Sequence, residues 1–130
     1  MKNTENKWYS INSSDPDPQP RSTIYFIPKD GGKYAGTYSD SQFISLSSKC
    51  FEKDEVTKWM IRDDYRVSKG EPLEESVEYK DYIIVVSLKS APCFYWQSII
   101  KDHEDILPMK KATKIEALNA MKTKIDEMID

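Results

Sequence analysis

The sequence predicts an α+β fold in which an antiparallel β-meander of about six strands carries one C-terminal helix. Most apolar residues fall in short runs rich in β-branched and aromatic side chains, with Gly, Pro, Asp and Ser between the runs. Only residues 113–129 repeat apolar side chains at helical spacing. Aromatic residues make up 12% of the 130 residues although the hydrophobic fraction is only 38%. This aromatic content indicates an ordered domain.

Six runs predict strands that are joined mostly by short polar turns. The Asp30-Gly31 pair supplies the positive φ that a hairpin turn needs. Gly36 stands between Tyr34 and Tyr38 on one face of its strand, which predicts that another backbone or a ring approaches closely there. Short connections favour antiparallel pairing of neighbouring strands. The predicted strands are 22–28, 33–38, 42–46, 56–61, 79–89 and 93–100.

The C-terminal segment has the start signal and the apolar stripe of a helix. Thr113 and Glu116 have the spacing of a capping box, in which each side chain can bond to the backbone of the other. The apolar side chains that follow form one narrow stripe, which predicts a helix lying on a sheet. They are Leu118, Met121, Ile125 and Met128, joined by Ile115 and Ile129.

Composition divides the chain into a tail, two modules and a connector. Residues 1–7 are predicted to be a mobile polar tail, and residues 8–64 a β-rich N-terminal module. Residues 65–78 contain Gly70 and several acids and are predicted to be an acidic connector. Residues 79–130 are predicted to be a ββα C-terminal module, and the sequence leaves open whether the two modules form one continuous domain.

Charge and cysteine content exclude several classes of protein. The net charge is −3 and the sequence pI is about 5.3, which argues against direct binding of nucleic acid. No apolar run follows the first seven residues, and the longest run, 82–86, is too short to cross a bilayer. Cys50 and Cys93 are solitary, as expected of reduced thiols in a cytoplasmic protein. We therefore expect a cytoplasmic protein that has no membrane partner and no zinc site.

One dense cluster of titratable residues, Asp102 to Asp105, surrounds the single histidine, His103. Neighbouring residues in a loop rarely converge on one ion, and no second histidine is available. The cluster is therefore expected to be a solvated loop, and we predict neither enzymatic activity nor a cofactor nor a metal. The alternative is a small hydrolase that uses His103 as its general base.

The remaining candidates for function are surface groups that could bind a partner. Acidic residues could form an anionic face that pairs with a basic, nucleic-acid-binding surface of another protein, although the same residues fit an ordinary solvated surface. Trp8 and Tyr9 lie near a terminus and are predicted to be exposed anchors. A second alternative is a small-molecule-binding protein that sequesters a nucleotide signal in a sheet pocket lined by Tyr34, Tyr38 and Lys58. The predicted partner-binding acids are Asp63, Asp64, Glu71, Glu74, Glu75, Glu78, Asp102, Glu104 and Asp105.

Residues 7–61 contain a series of short elements in a characteristic order. They are a Trp followed by Ile and Pro, a strand, a Tyr-x-Gly-x-Tyr hairpin, an aromatic strand and a closing Val-Thr-x-Trp-Met. The residues are Trp8, Ile11, Pro16, residues 24–27, Tyr34, Gly36, Tyr38, Phe43 and residues 56–60. In these elements residues 7–61 resemble small phage and prophage proteins of domain-of-unknown-function family 551, which usually has His where Lys58 stands.

Residues 79–129 resemble a second recurrent unit, two strands followed by a helix that opens Thr-x-x-Glu-Ala, here residues 113–117. Together the two resemblances imply a phage or prophage accessory protein that acts in the bacterial cytoplasm. Such proteins often bind and disable a host protein complex, including antiviral defences such as CRISPR complexes. The resemblances imply no catalytic residue.

Overall fold

The structure, a computed structural model, describes residues 7–11, 14–91 and 93–129. These residues form ten strands in two antiparallel sheets, together with one α-helix at the C-terminal end. The α+β class and the C-terminal helix are therefore confirmed. The described strands form two sheets, of six and four strands, instead of one sheet of about six. No helix in the described part of the chain is both long and apolar enough to cross a bilayer.

The chain divides into two compact units, Met1–Asp63 with Ala91–Cys93, and Asp64–Ser90 with Phe94–Asp130. The segment 65–78, which the sequence predicts to be a connector, falls within the second unit, and its last residues form a strand. The predicted tail lies outside the described residues except for Lys7.

The first unit contains a six-stranded sheet in the order β1-β6-β2-β3-β4-β5. One face of this sheet carries an aromatic core, in which Phe26 lies against Phe43 and Phe51 with ring centroids 5.2 and 5.7 Å apart. Because the rings are large, a thin core forms from few apolar residues. The strands are β1 (Trp8–Ser10), β2 (Ile24–Pro28), β3 (Tyr34–Ser39), β4 (Gln42–Ser45), β5 (Cys50–Glu52) and β6 (Val56–Ile61).

The close approach that the sequence predicts at Gly36 is made by a backbone and not by a ring. It lies in β3 between Ile24 of β2 and Ser45 of β4. A Cβ atom built on Gly36 would collide with the carbonyl oxygen of Ile44. Only glycine lets β3 and β4 pair at this point without a shift of one backbone.

The second unit contains a four-stranded sheet in the order β10-β9-β8-β7, with the helix packed on β8, β9 and β10. Ile84, Trp96, Met121 and Ile125 are among the fully buried side chains between the sheet and the helix. The elements are β7 (Glu74–Tyr79), β8 (Tyr82–Lys89), β9 (Tyr95–Ile100), β10 (Met109–Lys111) and α1 (Lys114–Ile129).

Helix α1 is held at its start by hydrogen bonds that the sequence predicts in part. The capping box is confirmed, because the Glu116 N–H donates to Thr113 Oγ1 and the Thr113 N–H donates to Glu116 Oε1, both at 3.2 Å. The hydroxyl of Ser98 donates to the carbonyl of Ala117 at 2.8 Å, and both residues are fully buried. This hydrogen bond therefore holds the first turns of the helix against β9.

The apolar stripe of α1 is narrower than the sequence predicts. Ala117, Met121 and Ile125 are fully buried, whereas Ile115 is 64% and Ile129 49% exposed. The helix packs on β8, β9 and β10, so its side nearest β7 is only partly covered. The exposed Ile115 belongs to that side.

Candidate binding groove

A groove of about 460 Å³ lies within the second unit, between β7, the segment 64–71 and the first turns of α1. We call it the β7 groove. Its walls combine apolar side chains with carboxylates and two cations, a mixture suited to binding an amphipathic segment of another molecule. The residues that line it are Asp64, Arg66, Val67, Ser68, Glu71, Glu75, Val77, Thr113, Lys114, Ile115 and Leu118.

Strand β7 contributes one of its two faces to the groove. Side chains alternate along a strand, and the contacts of Glu75 with Lys114 and of Tyr79 with Asp126 place these side chains on the face toward α1. Val77 lies between them on the same face. The Tyr79 hydroxyl donates to Asp126 at 2.9 Å, and this bond ties the far end of β7 to the helix.

The segment 64–71 is held against the sheet by aromatic contacts and one buried hydrogen bond. The ring of Tyr65 stacks on Phe94 with centroids 4.5 Å apart and planes 1° from parallel. The indole N–H of Trp96 donates to the Tyr65 carbonyl at 2.7 Å. Further along, the Ser68 N–H donates to Glu71 Oε1 at 3.0 Å. This wall of the groove is therefore pre-formed.

The β7 groove is lined by more negative than positive side chains. Lys114 forms an ion pair with Glu75 at 2.6 Å, and its side chain is only 15% exposed and lies over the Trp96 ring. Asp64 and Glu71 line the groove together with a single further cation, Arg66. Three carboxylates against two cations leave the groove with one net negative charge.

The structure places the predicted partner-binding acids in several different locations. Asp64, Glu71 and Glu75 line the β7 groove. Glu74 and Glu78 are exposed on the opposite face of β7, because neighbours in a strand point to opposite sides. Asp63 belongs to the first unit, and the exposed acids of the turn after β9 are Asp102, Glu104 and Asp105. The acids of residues 71–78 therefore do not form a single face.

Trp8 and Tyr9, the predicted exposed anchors, lie on opposite faces of β1. Tyr9 packs against the aromatic core and stacks on Trp59 with centroids 4.6 Å apart. Trp8 is half-buried on the other face, with Lys58 Nζ 5.3 Å from its ring. Tyr9 is half-buried as well, since strand alternation turns its ring toward the core. The role of both residues as partner-binding anchors stays a prediction.

The three residues of the suggested nucleotide pocket do not meet. Tyr34 and Tyr38 pack on the core face, against Phe51 and Phe43. Lys58 pairs with Ile27, whereas its neighbour Trp59 is the residue that lies in the core. Because adjacent residues of a strand point to opposite faces, Lys58 lies on the other side of the sheet from the two tyrosines.

His103 lies in an exposed turn, edge-on to Tyr82 at 5.2 Å between ring centroids. The described residues contain no group of three or more His, Cys, Asp or Glu that could hold a metal ion. Burial raises the pKa of the Cys93 thiol above its ordinary value of 9.0, and the Arg62 guanidinium opposes this rise. A thiol with a raised pKa stays protonated at neutral pH and is a poor nucleophile.

Comparisons of the chain with protein-family models, with curated proteins and with solved structures found no match. The resemblance of residues 7–61 to family 551 stays a prediction.

Sequence reasoning missed the apolar and basic residues of the β7 groove. Ile115 has helical spacing to Leu118, so the pattern assigns both to the buried stripe. One signal was available, since Val77 and Tyr79 alternate with the polar residues Ser76 and Glu78 in the way a strand requires.

Proposed function

We propose that this chain is a non-enzymatic binding protein that uses the β7 groove to dock on a basic surface of a protein partner. The observation that carries the proposal is the composition of the groove. The exposed Ile115 lies beside Leu118 and Val77, and carboxylates lie around them. An apolar anchor surrounded by charged groups is typical of a surface that binds another protein.

The charge of the groove favours a partner rich in Lys and Arg. Its net negative charge has the sign that complements such a surface, and complementary charge speeds association and selects among partners. We propose that the partner is a bacterial protein complex with a nucleic-acid-binding surface, and that docking blocks this surface. The resemblance of residues 7–61 to phage and prophage proteins supports a phage-borne inhibitor of host defence in the cytoplasm, such as an anti-CRISPR protein.

Capture of partners from bacterial lysate, quantified by mass spectrometry, tests the groove directly. The groove variant combines Ile115→Ser with Glu71→Gln. Its matched control combines Met128→Ser with Glu127→Gln, which removes the same kinds of group from exposed positions at the other end of α1. Residues 115 and 127 are about 18 Å apart along the helix, so the control leaves the groove intact.

We expect the same proteins to be enriched on the wild type and on the control and to be lost from the groove variant. Enrichment should weaken as NaCl rises from about 0.05 to about 0.5 M, because salt screens charge pairing. Expression of the wild type, but not of the groove variant, should restore plating of phage on CRISPR-immune hosts. Equal capture by all three proteins, or no capture by any of them, would refute the proposed role of the groove.

A further inference from the structure

Strand β7 is the outer strand of the second sheet. It pairs with β8 on one side, and no strand lies beyond it in the described part of the chain. The Leu88 N–H donates to the Leu73 carbonyl at 2.9 Å, just before Glu74 pairs with Ser87. In an antiparallel pair, the residues that exchange hydrogen bonds alternate with residues that do not. The backbone groups of Glu74, Ser76 and Glu78 therefore point away from the sheet.

The bond between the Lys101 N–H and the Ile83 carbonyl gives the same result independently. It shows that the backbone of Ile83 is bonded toward β9. Its β7 neighbour, Glu78, then belongs to a pair that exchanges no backbone bonds with β8. Glu74, Ser76 and Glu78 are all exposed, so their outward N–H and C=O groups can be reached by an added strand.

The negative charges of β7 determine which kind of added strand can pair with its outer edge. Glu74, Glu75 and Glu78 make up half of its six residues. If two copies of β7 paired antiparallel through these outward groups, with Ser76 opposite Ser76, Glu74 would lie opposite Glu78 at two places. Like charges directly opposite each other destabilise a sheet, and charged edge strands prevent pairing between copies in this way. A segment that carries Lys or Arg would place opposite charges at the same positions.

We infer that the partner adds an extended segment with alternating Lys or Arg to β7, as a fifth strand of the second sheet. The inference rests on the proposed function for the basic character of the partner, and it adds the mode of recognition. Backbone hydrogen bonds to β7 supply affinity in such complexes, and side chains supply specificity. Side chains of the added strand on the face toward α1 would lie beside Glu75 and Val77, at the mouth of the β7 groove.

The probe is a synthetic nine-residue peptide that alternates Lys with Val or Thr, added to the ¹⁵N-labelled full chain. Two changes separate strand addition from simple charge attraction. A peptide that is N-methylated at alternate amides keeps every charge but loses the backbone N–H donors along one edge. In the chain, Ser76→Pro removes one outward N–H, keeps all the charges and leaves the bonds between β7 and β8 intact. Ser76→Thr is the matched control.

Strand addition predicts slower amide exchange at Glu74, Ser76 and Glu78 when the peptide is present. It predicts a loss of affinity of about tenfold for Ser76→Pro and for the N-methylated peptide, with little change for Ser76→Thr. If the N-methylated peptide binds as tightly as the parent, or if the three amides gain no protection, the inference is overturned. The N-methylated peptide decides the question even if Ser76→Pro does not fold.

A second copy of the chain is the competing occupant. Protection of the same three amides without peptide, together with a doubled mass in light scattering, would overturn the inference in favour of self-pairing. The proposed function and strand addition can be refuted independently of each other. Protection of β7 by the peptide without any captured partner refutes the proposed function alone. Capture through the groove without protection of β7 refutes strand addition alone.

Discussion

Replacing Trp59 by Ala tests the aromatic core of the first unit. Trp59 is 5% exposed, stacks on Tyr9 and donates its indole N–H to the Pro16 carbonyl at 3.1 Å. Truncation of a buried Trp costs about 3–5 kcal/mol, because apolar burial is lost and a cavity is left. The hydrogen bond accounts for about 1 kcal/mol of this loss. Since whole domains unfold with only about 5–15 kcal/mol, we expect a large drop in the free energy of unfolding.

Urea unfolding followed by far-UV circular dichroism measures this change without relying on the fluorescence of the substituted residue. Trp59→Phe keeps a ring in the core but loses the hydrogen bond to Pro16, so it should lose less stability than Trp59→Ala. Trp8→Ala is the control. It removes the same residue type from the half-buried outer face of β1 and should cost about 1 kcal/mol or less.

Free energies of unfolding of Trp59→Ala and Trp8→Ala that agree to within about 1 kcal/mol would contradict this expectation, because burial of a single aromatic ring contributes more than that. Such a result would mean that the face of β6 that carries Trp59 is not the core face.

Two further substitutions test single contacts. Gly36→Ala should lower the free energy of unfolding by about 1–3 kcal/mol, because the new Cβ would meet the Ile44 carbonyl. The loss would be measured as a lower urea midpoint, and an unchanged midpoint would contradict the close approach of β3 and β4. Hydrogen bonds from Lys80 and Tyr79 lower the pKa of the Asp126 carboxyl below its ordinary value of 3.8. The ionised carboxylate therefore stabilises the folded state at neutral pH, and this stabilisation is lost as the pH falls through the folded-state pKa. Asp126→Asn should therefore be less stable than the wild type at about pH 6, and the difference should narrow toward about pH 2; a gap that does not change with pH would contradict this.

Most of the individual elements could be predicted from local sequence. Residues 24–28, 34–39 and 56–61 contain β-branched and aromatic side chains, and turn residues separate most of the predicted runs, so local preference and pattern agree there. The three-residue strands β1, β5 and β10 were missed because pairing with a neighbour, rather than their own composition, makes them strands. Strand β7 was missed because its glutamates are poor strand formers.

The candidate site was only partly predictable. Asp64, Glu71 and Glu75 were expected on a binding surface, but their sequence does not show that they line one groove with Ile115. Nor does it show that Glu74 and Glu78 point away from that groove. Both facts depend on the register of β7 against β8 and on where α1 crosses the sheet.

The sequence by itself determined the α+β class, the helix start at Thr113, the tight approach at Gly36 and the mild negative charge. These features depend on a few neighbouring residues or on composition alone. Only the tertiary structure decided that the strands form two sheets, that Tyr9 faces the core and that β7 is left as an exposed edge. Each of these outcomes depends on which distant segment a strand pairs with, and a shift of one residue in that pairing would turn every side chain to the other face.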